Sequence, residues 1–295
     1  MEKTKGFYDF GISYQNDKVA LIKILKESYE LGYRTVAIEQ VFDHSKKDAS
    51  KRSSDTFPAP IELSFLDEFR DKLKILNRLT IVYSDVGVAH AMTNSLNLRK
   101  YHLVAGLPKS DAALTHCCTV FNGDIISFDP DTKLLVNRKA YQMAVKRGLC
   151  FEVKYVPAIV NSSQRKEMIR IAHNYHARGK SRNIIFSSGA TNEFELRGPY
   201  DVANLALIFG LTEEQGKGAV LNTCRVLFLK AESRRLGKTV MFVKQLGPTV
   251  LSSTSEDSES EDDDGEDAGR LDDNDKDMES DDVTDEQPHK KKKLS

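Results

Sequence analysis

The sequence predicts an α/β fold whose parallel strands close into a barrel, and three observations predict it. Through the first 155 residues, short β-branched runs alternate with stretches of helical periodicity, the pattern of parallel strands joined by crossover helices. Seven strand-like runs occur before residue 190, which suggests a closing barrel. After the seventh run the pattern becomes wholly helical. The same string of elements also serves an open doubly wound sheet, and no internal repeat decides between the two.

The first strand is Phe7 to Ser13. Asp17 is placed to cap a helix from Lys18 to Leu31, in which Val19, Ile22, Leu25 and Tyr29 recur at helical spacing and Gly32 supplies the stop. Thr35 to Gln40 is the second strand. The polar, lysine-rich segment from Val41 to Pro60, interrupted by Pro58 and Pro60, reads as a long loop. A helix is expected over Ile61 to Leu76. Strands then follow at Leu79 to Ser84, Tyr101 to Gly106, Asp124 to Asp129, Leu149 to Tyr155 and Asn183 to Ser187, with a helix from Gln164 to Arg178 between the last two. The helical end of the pattern comprises Tyr200 to Phe209, a capping box at Thr212 and Gln215, and a run from about Gly216 to Leu236.

Charge divides the chain. Residues 247–295 hold 18 acids and 6 bases, and the first 246 residues hold 37 bases and 26 acids, so a body of +11 and a tail of −12 nearly cancel. Three segments are expected: a globular body at 1–246, a disordered acidic tail at 247–287, and a basic C-terminus at 288–295. The tail has too few apolar residues to offset the entropy of ordering. The terminus carries Lys290 to Lys293, typical of a nuclear import signal. Serines such as Ser253, Ser255, Ser258 and Ser260 stand in surroundings that suit an acid-directed kinase.

A basic body attracts polyanions, and nucleic acid is favoured over membrane. No run approaches the ~18 to 20 continuous apolar residues that span a bilayer, and Met1 to Gly6 lacks the apolar region of a secretory signal. Cys117, Cys118, Cys150 and Cys224 show no CxxC spacing and read as reduced, mostly buried thiols.

Two chemistries compete. The carboxyl ends of the strands present Glu39, Asp85 and Asp129, and Asp9 lies in strand one. Such carboxylates are the donors a metal-dependent phosphoesterase uses for magnesium or manganese. Against that, strand one has no histidine, since the first is His44. His173 and His176 lie three apart on a helix with no carboxylate at helical spacing, and a surface or partly buried pair is the simpler account. Cys150 sits in a strand, where an inert thiol is expected. Neither GxxxxGK[ST], GxGxxG nor GxSxG occurs.

The other chemistry is phosphate binding by dispersed bases. The candidates are Arg34, Lys109, Lys154, Arg182 and Arg197, with Arg225, Lys230, Arg234, Arg235 and Lys238 along the last helix. No stacked-aromatic signature for reading single strands is present, which points to backbone and shape recognition.

The segments FEVKYVPAI from Phe151, SRNIIFSSGA from Ser181 and ELRGPYDVANLALIFGLT from Glu195 go further, together with LGYRTVAI at 31–38 and LTIVYSD at 79–85. In this order they resemble the family of thirty-kilodalton protein subunits of ribonuclease P and ribonuclease MRP, eukaryotic and archaeal, over residues 1 to about 240. The resemblance implies a TIM-barrel-like fold of the polymerase and histidinol phosphatase type with a C-terminal helical segment. It also implies a noncatalytic role, stabilising an RNA that removes the 5′ leader from precursor tRNA. No cofactor in the protein itself is implied, and magnesium is expected for the RNA-catalysed reaction. The implied partners are ribonuclease P RNA, MRP RNA, precursor tRNA, a small ferredoxin-like protein subunit and other ribonuclease P proteins, in the nucleus and nucleolus. Within RGPYDVANLALIFGL, Leu205, Leu207, Ile208 and Leu211 are expected to supply apolar packing surface after Pro199, with Arg197 the member facing RNA.

Overall fold

The computed structural model describes residues 6–46 and 55–237. The acidic tail, the basic terminus, Lys238 and the middle of the Val41–Pro60 segment lie outside the described residues.

Seven strands form one parallel sheet in sequence order: β1 (Phe7–Ser13), β2 (Tyr33–Asp43), β3 (Lys74–Tyr83), β4 (Leu103–Pro108), β5 (Ile125–Ile126), β6 (Cys150–Lys154) and β7 (Ile184–Ser187). The sheet curls until its edges meet. Ser13 N donates to Ala190 O at 2.9 Å and Gly189 N donates to Gly11 O at 2.9 Å, which joins β1 to the chain leaving β7. The contact needs Gly11, because a Cβ there would stand 2.8 Å from that of Ser187. The barrel is therefore realised in preference to the open sheet.

Ten α-helices connect and cover the strands among the described residues: α1 (Lys18–Glu30), α2 (Val88–Asn94), α3 (Leu96–Lys100), α4 (Asp111–Thr119), α5 (Arg138–Lys146), α6 (Val156–Val160), α7 (Ser162–Gly179), α8 (Pro199–Leu205), α9 (Glu213–Val220) and α10 (Asn222–Leu236). Asp17 caps α1 as expected, its Oδ1 accepting from Val19 N at 2.9 Å and Ala20 N at 3.1 Å.

Several expectations need correction. The helix expected over Ile61 to Leu76 is a 3₁₀ turn, Ser64–Phe69, kinked at Leu66 (φ −105°, ψ 19°), and Lys74 already begins β3. The buried Leu66, Phe69 and Leu73 sit at three- and four-residue spacing and imitate a helix, but they line the wall of the outer core. The expected loop gives up Val41 to Asp43 to β2, which pairs there with Thr80, Ile81 and Val82. The fifth strand shrinks to Ile125–Ile126. The expected helix to Phe209 ends at Leu205, leaving Leu207 and Ile208 exposed while Val202, Ala206 and Phe209 pack inward. The last helical run breaks at Leu221 (φ −130°, ψ −82°) into α9 and α10.

Strand alternation sorts the apolar residues into two cores. The outer core, between strands and helices, includes Ile12, Val36, Ile81, Val104, Phe151 and Phe186. The inner core includes Tyr8, Phe10, Ala37, Leu76, Leu103, Cys150 and Ile185, and α10 joins it through Cys224, Leu227, Phe228 and Ala231. That helix lies across the end where the strands begin. Arg234 binds Asp124 and the carbonyl of His102, just before β5 and β4, and Lys74 at the start of β3 sits 4.1 Å from the Phe228 ring.

The capping box of α9 is complete: Gln215 N donates to Thr212 Oγ1 at 3.2 Å and Thr212 N donates to Gln215 Oε1 at 3.1 Å. Thr212→Ala is expected to lower folding stability by about 1 kcal/mol in chemical denaturation. No change would mean that α9 is held by packing alone.

Candidate functional site

The upper half of the barrel interior is polar. Alternation turns Arg78 and Thr80 of β3 and Glu152 and Lys154 of β6 toward the axis, with Glu39, Ser127 and Ser187 beside them. Arg78 is fully buried and holds Glu152 through two hydrogen bonds, Nη1 to Oε1 at 2.5 Å and Nη2 to Oε2 at 2.7 Å. Its Nη2 also lies 3.0 Å from Glu39 Oε1, and its Nη1 donates to Phe10 O at 2.7 Å. Ser127 Oγ donates to Glu152 at 2.6 Å, and Ser187 Oγ donates to the same carboxylate. Glu39 further accepts from Thr80 Oγ1 at 2.5 Å and from Lys154 Nζ at 2.6 Å.

Two anions are thus matched by two cations in a low-dielectric interior, where an unmatched charge is expensive. Burial pushes the Glu39 and Glu152 carboxyls up, but Arg78, Lys154 and the hydrogen bonds to each carboxylate together outweigh it. Glu39 lies below the usual carboxylate range and Glu152 is pulled down to about 2. Asp9 has no such cation. Its Oδ1 accepts from Gly11 N and Ser188 N, both at 3.0 Å, and burial pushes its carboxyl up.

The carboxylates that a metal-dependent phosphoesterase would draw on do not assemble into one set. Asp9 and Glu39 are interior, Asp85 is exposed, and Asp129 pairs with Lys109. Among the described residues no group of three or more His, Cys, Asp or Glu is placed to hold a metal ion. His173 and His176 go separate ways, to the carbonyl of Ile208 at 3.3 Å and to Ser181 Oγ at 3.2 Å. All four cysteines are buried free thiols, and burial pushes Cys150 up to about 12, as suits an inert residue.

The five bases singled out in the sequence are scattered. Arg34 donates to the carbonyls of Tyr29 and Tyr33 and stacks over the Tyr29 ring at 4.5 Å. Lys109 follows β4 and pairs with Asp129. Lys154 belongs to the interior network. Arg197 donates to the carbonyls of Phe194 and Leu196. Arg182 alone of the five faces solvent with further bases around it, at a cleft between α5 and the end of α7. Along α10, Arg234 pairs with Asp124, Arg235 with Glu232, and Lys230 donates to the carbonyl of Arg147.

Arg78 and Glu152 lie deeper in β3 and β6 than the strand ends to which the sequence points. The signal was there, since Arg78 and Thr80, like Glu152 and Lys154, stand two apart within strands.

A family model described as "RNase P subunit p30" matches residues 6–236. The chain is 36% identical over 236 residues to "Ribonuclease P protein subunit p30" of Mus musculus, covering 78% of this chain and 87% of that one. It is 27% identical to "Probable ribonuclease P protein subunit 3" of Schizosaccharomyces pombe, over 73% of this chain and 88% of the relative. To "Ribonuclease P/MRP protein subunit RPP1" of Saccharomyces cerevisiae it is 26% identical, over 72% and 73%. Its fold matches a chain in a cryo-EM structure of archaeal ribonuclease P with mature tRNA, with TM-score 0.56 at 12% identity, covering 83% of this chain and all of that one.

Proposed function

Since the chain belongs to the RNase P subunit p30 family, we propose that it serves as a noncatalytic protein subunit of ribonuclease P and of ribonuclease MRP. In this role it binds and stabilises the RNA that removes the 5′ leader from precursor tRNA. Its partners are ribonuclease P RNA, MRP RNA, precursor tRNA in the complex, a small ferredoxin-like protein subunit and the other ribonuclease P proteins. It works in the nucleus and nucleolus. Magnesium serves the RNA-catalysed step, and the protein itself carries no cofactor.

The observation that carries the noncatalytic role is the filled interior. Glu39 and Glu152 lie inside the barrel below the strand ends where a parallel barrel builds its active site, and here they are bound by Lys154, Arg78, Thr80, Ser127 and Ser187. An arginine held between two carboxylates is a fixed cation that neither leaves nor activates water, in contrast to the open position of a catalytic metal. The interior therefore acts as a strut, and recognition of RNA falls to the outer surface.

We expect the purified full chain, without RNA, to leave generic phosphodiesters intact in the presence of manganese. Turnover that Asp9→Ala or Glu39→Ala abolishes would establish a metal-dependent phosphoesterase instead. Crosslinking and sequencing of RNA copurified from nuclei with the tagged protein is expected to return ribonuclease P RNA and MRP RNA. An unrelated RNA population would overturn the assignment.

A further inference from the structure

Five side chains of one charge surround a single cleft in the outer helical layer. Arg138 and Lys146 stand at the two ends of α5, Arg178 lies in the last turn of α7, and Lys180 and Arg182 follow it, around a space of about 380 Å³ that no Asp or Glu lines. All five are exposed. None has an ion-pair or side-chain hydrogen-bond partner among the described residues, whereas Lys109, Lys154, Arg170, Lys217, Arg234 and Arg235 each have a carboxylate.

A solvated surface explains part of this. Lys146 and Arg178 are in the last turns of their helices, where the helix dipole favours a cation. It does not explain Arg138, which opens α5 beside Lys139 in a first turn without an acid, at the positive end of the dipole. A cation there is disfavoured until an anion joins it, and a helix N-terminus flanked by bases suits phosphate oxygens.

Unusual backbone also shapes the cleft. Gly179 lies flat against Tyr141, where a Cβ would meet the ring at 1.9 Å. Tyr141 stacks on Phe151 at 4.4 Å and 5° and donates its hydroxyl to the carbonyl of Arg182 at 2.5 Å. Lys180, Ser181 and Asn183 all adopt left-handed φ (56°, 56° and 53°), a run that non-glycine residues rarely show and that tertiary contacts must enforce. Those contacts are Gln215 Nε2 to Lys180 O at 2.9 Å, His176 to Ser181 Oγ at 3.2 Å and Asn183 Nδ2 to Leu149 O at 3.1 Å. The strained turn brings Lys180 and Arg182 to the same cleft as the α5 bases.

We propose that this cleft seats phosphate groups of an RNA backbone. The proposal rests on the RNA-binding role given above and assigns that role to a place. Guanidinium forks from Arg138, Arg178 and Arg182 match phosphate oxygens, and Tyr141, the aromatic of the lining, is buried and committed, so bases are not read by stacking.

The test measures binding of the full chain to a fluorescein-labelled RNA hairpin across a salt series. Arg138→Gln/Arg178→Gln/Arg182→Gln is compared with Lys26→Gln/Lys100→Gln/Lys166→Gln, three exposed bases elsewhere carrying the same change of charge. Loss of three phosphate contacts is expected to weaken affinity on the order of 100-fold at 0.15 M salt and to lower the slope of log K against log salt by about 3. The second triple is expected to lose less than a tenth of that. A charge-preserving Arg138→Lys/Arg178→Lys/Arg182→Lys protein is expected to keep most of the affinity, which separates lost contacts from lost structure. Equal losses from the two glutamine triples would overturn the site while leaving the RNA role intact. A wild-type affinity indifferent to salt would overturn the RNA role and the site with it. Undiminished RNA binding by the Arg138→Gln/Arg178→Gln/Arg182→Gln protein, coupled with lost binding to poly-glutamate, would reassign the cleft to an acidic protein segment.

Discussion

Arg78→Met is expected to lower folding stability by about 3 to 5 kcal/mol, a large share of what holds a single domain together. The guanidinium is wholly enclosed and serves two carboxylates at once, so its removal leaves Glu152 buried among serine hydroxyls with no cation bonded to it and leaves Lys154 as the one cation paired with Glu39. Methionine fills most of the volume, so the loss reports uncompensated charge rather than a cavity. Removing the anion as well, in Arg78→Met/Glu152→Gln, is expected to restore part of the stability. Urea denaturation followed by circular dichroism measures both. A loss under about 1 kcal/mol for the single variant would mean that water or proton uptake already relieves the site, and that the network is not the strut described above.

The same network predicts how the protein yields to acid. The Glu152 carboxyl lies at about 2 in the folded protein against an ordinary 4.5, and Glu39 is also lowered. A lowered folded-state pKa contributes stability that is present above the unfolded pKa and lost as pH falls through the folded value. Stability is therefore expected to fall between about pH 4.5 and 2, by about 1.4 kcal/mol per pH unit for each proton taken up on unfolding. Asp9 acts with the opposite sign, since its raised pKa favours the folded state in acid. In Arg78→Met the sign for Glu152 reverses too. Burial without the guanidinium raises its carboxyl, so that protein is expected to gain stability on mild acidification where the wild type loses it. Urea midpoints between pH 3 and 7 decide the matter, and parallel curves for the two proteins would show that Arg78 does not set the carboxylate.

The barrel was legible where local and tertiary preferences agree. Runs such as TIVY in β3 and IIF in β7 are β-branched or aromatic and buried on both faces, and they fold as read. Ile61 to Leu76 was misread because apolar spacing reports burial, not backbone conformation; Leu66, Phe69 and Leu73 satisfy the spacing through a kinked turn. The candidate site was legible in part. Glu39 and Lys154 were marked, yet Arg78, which pairs with Glu39, also binds Glu152 across 74 residues of sequence, and no local pattern encodes which strands face each other across a barrel. Arg182 was marked for its charge, while its companions Arg138 and Lys146 lie on a different helix. Their meeting depends on Gly179 admitting the Tyr141 ring, a contact between residues 38 positions apart.

The placement of α10 bears on how the molecule is made. A ribosome releases the strands first and Asn222–Leu236 last among the described elements, so a nascent chain that has emerged only to Leu221 still presents Leu76, Leu103, Cys150 and Ile185 through an uncovered opening. Exposed apolar surface of that kind invites chaperones and aggregation. A message truncated before this helix is therefore expected to yield a client of quality control, because the inner core is covered only once the chain is complete as far as Ala231.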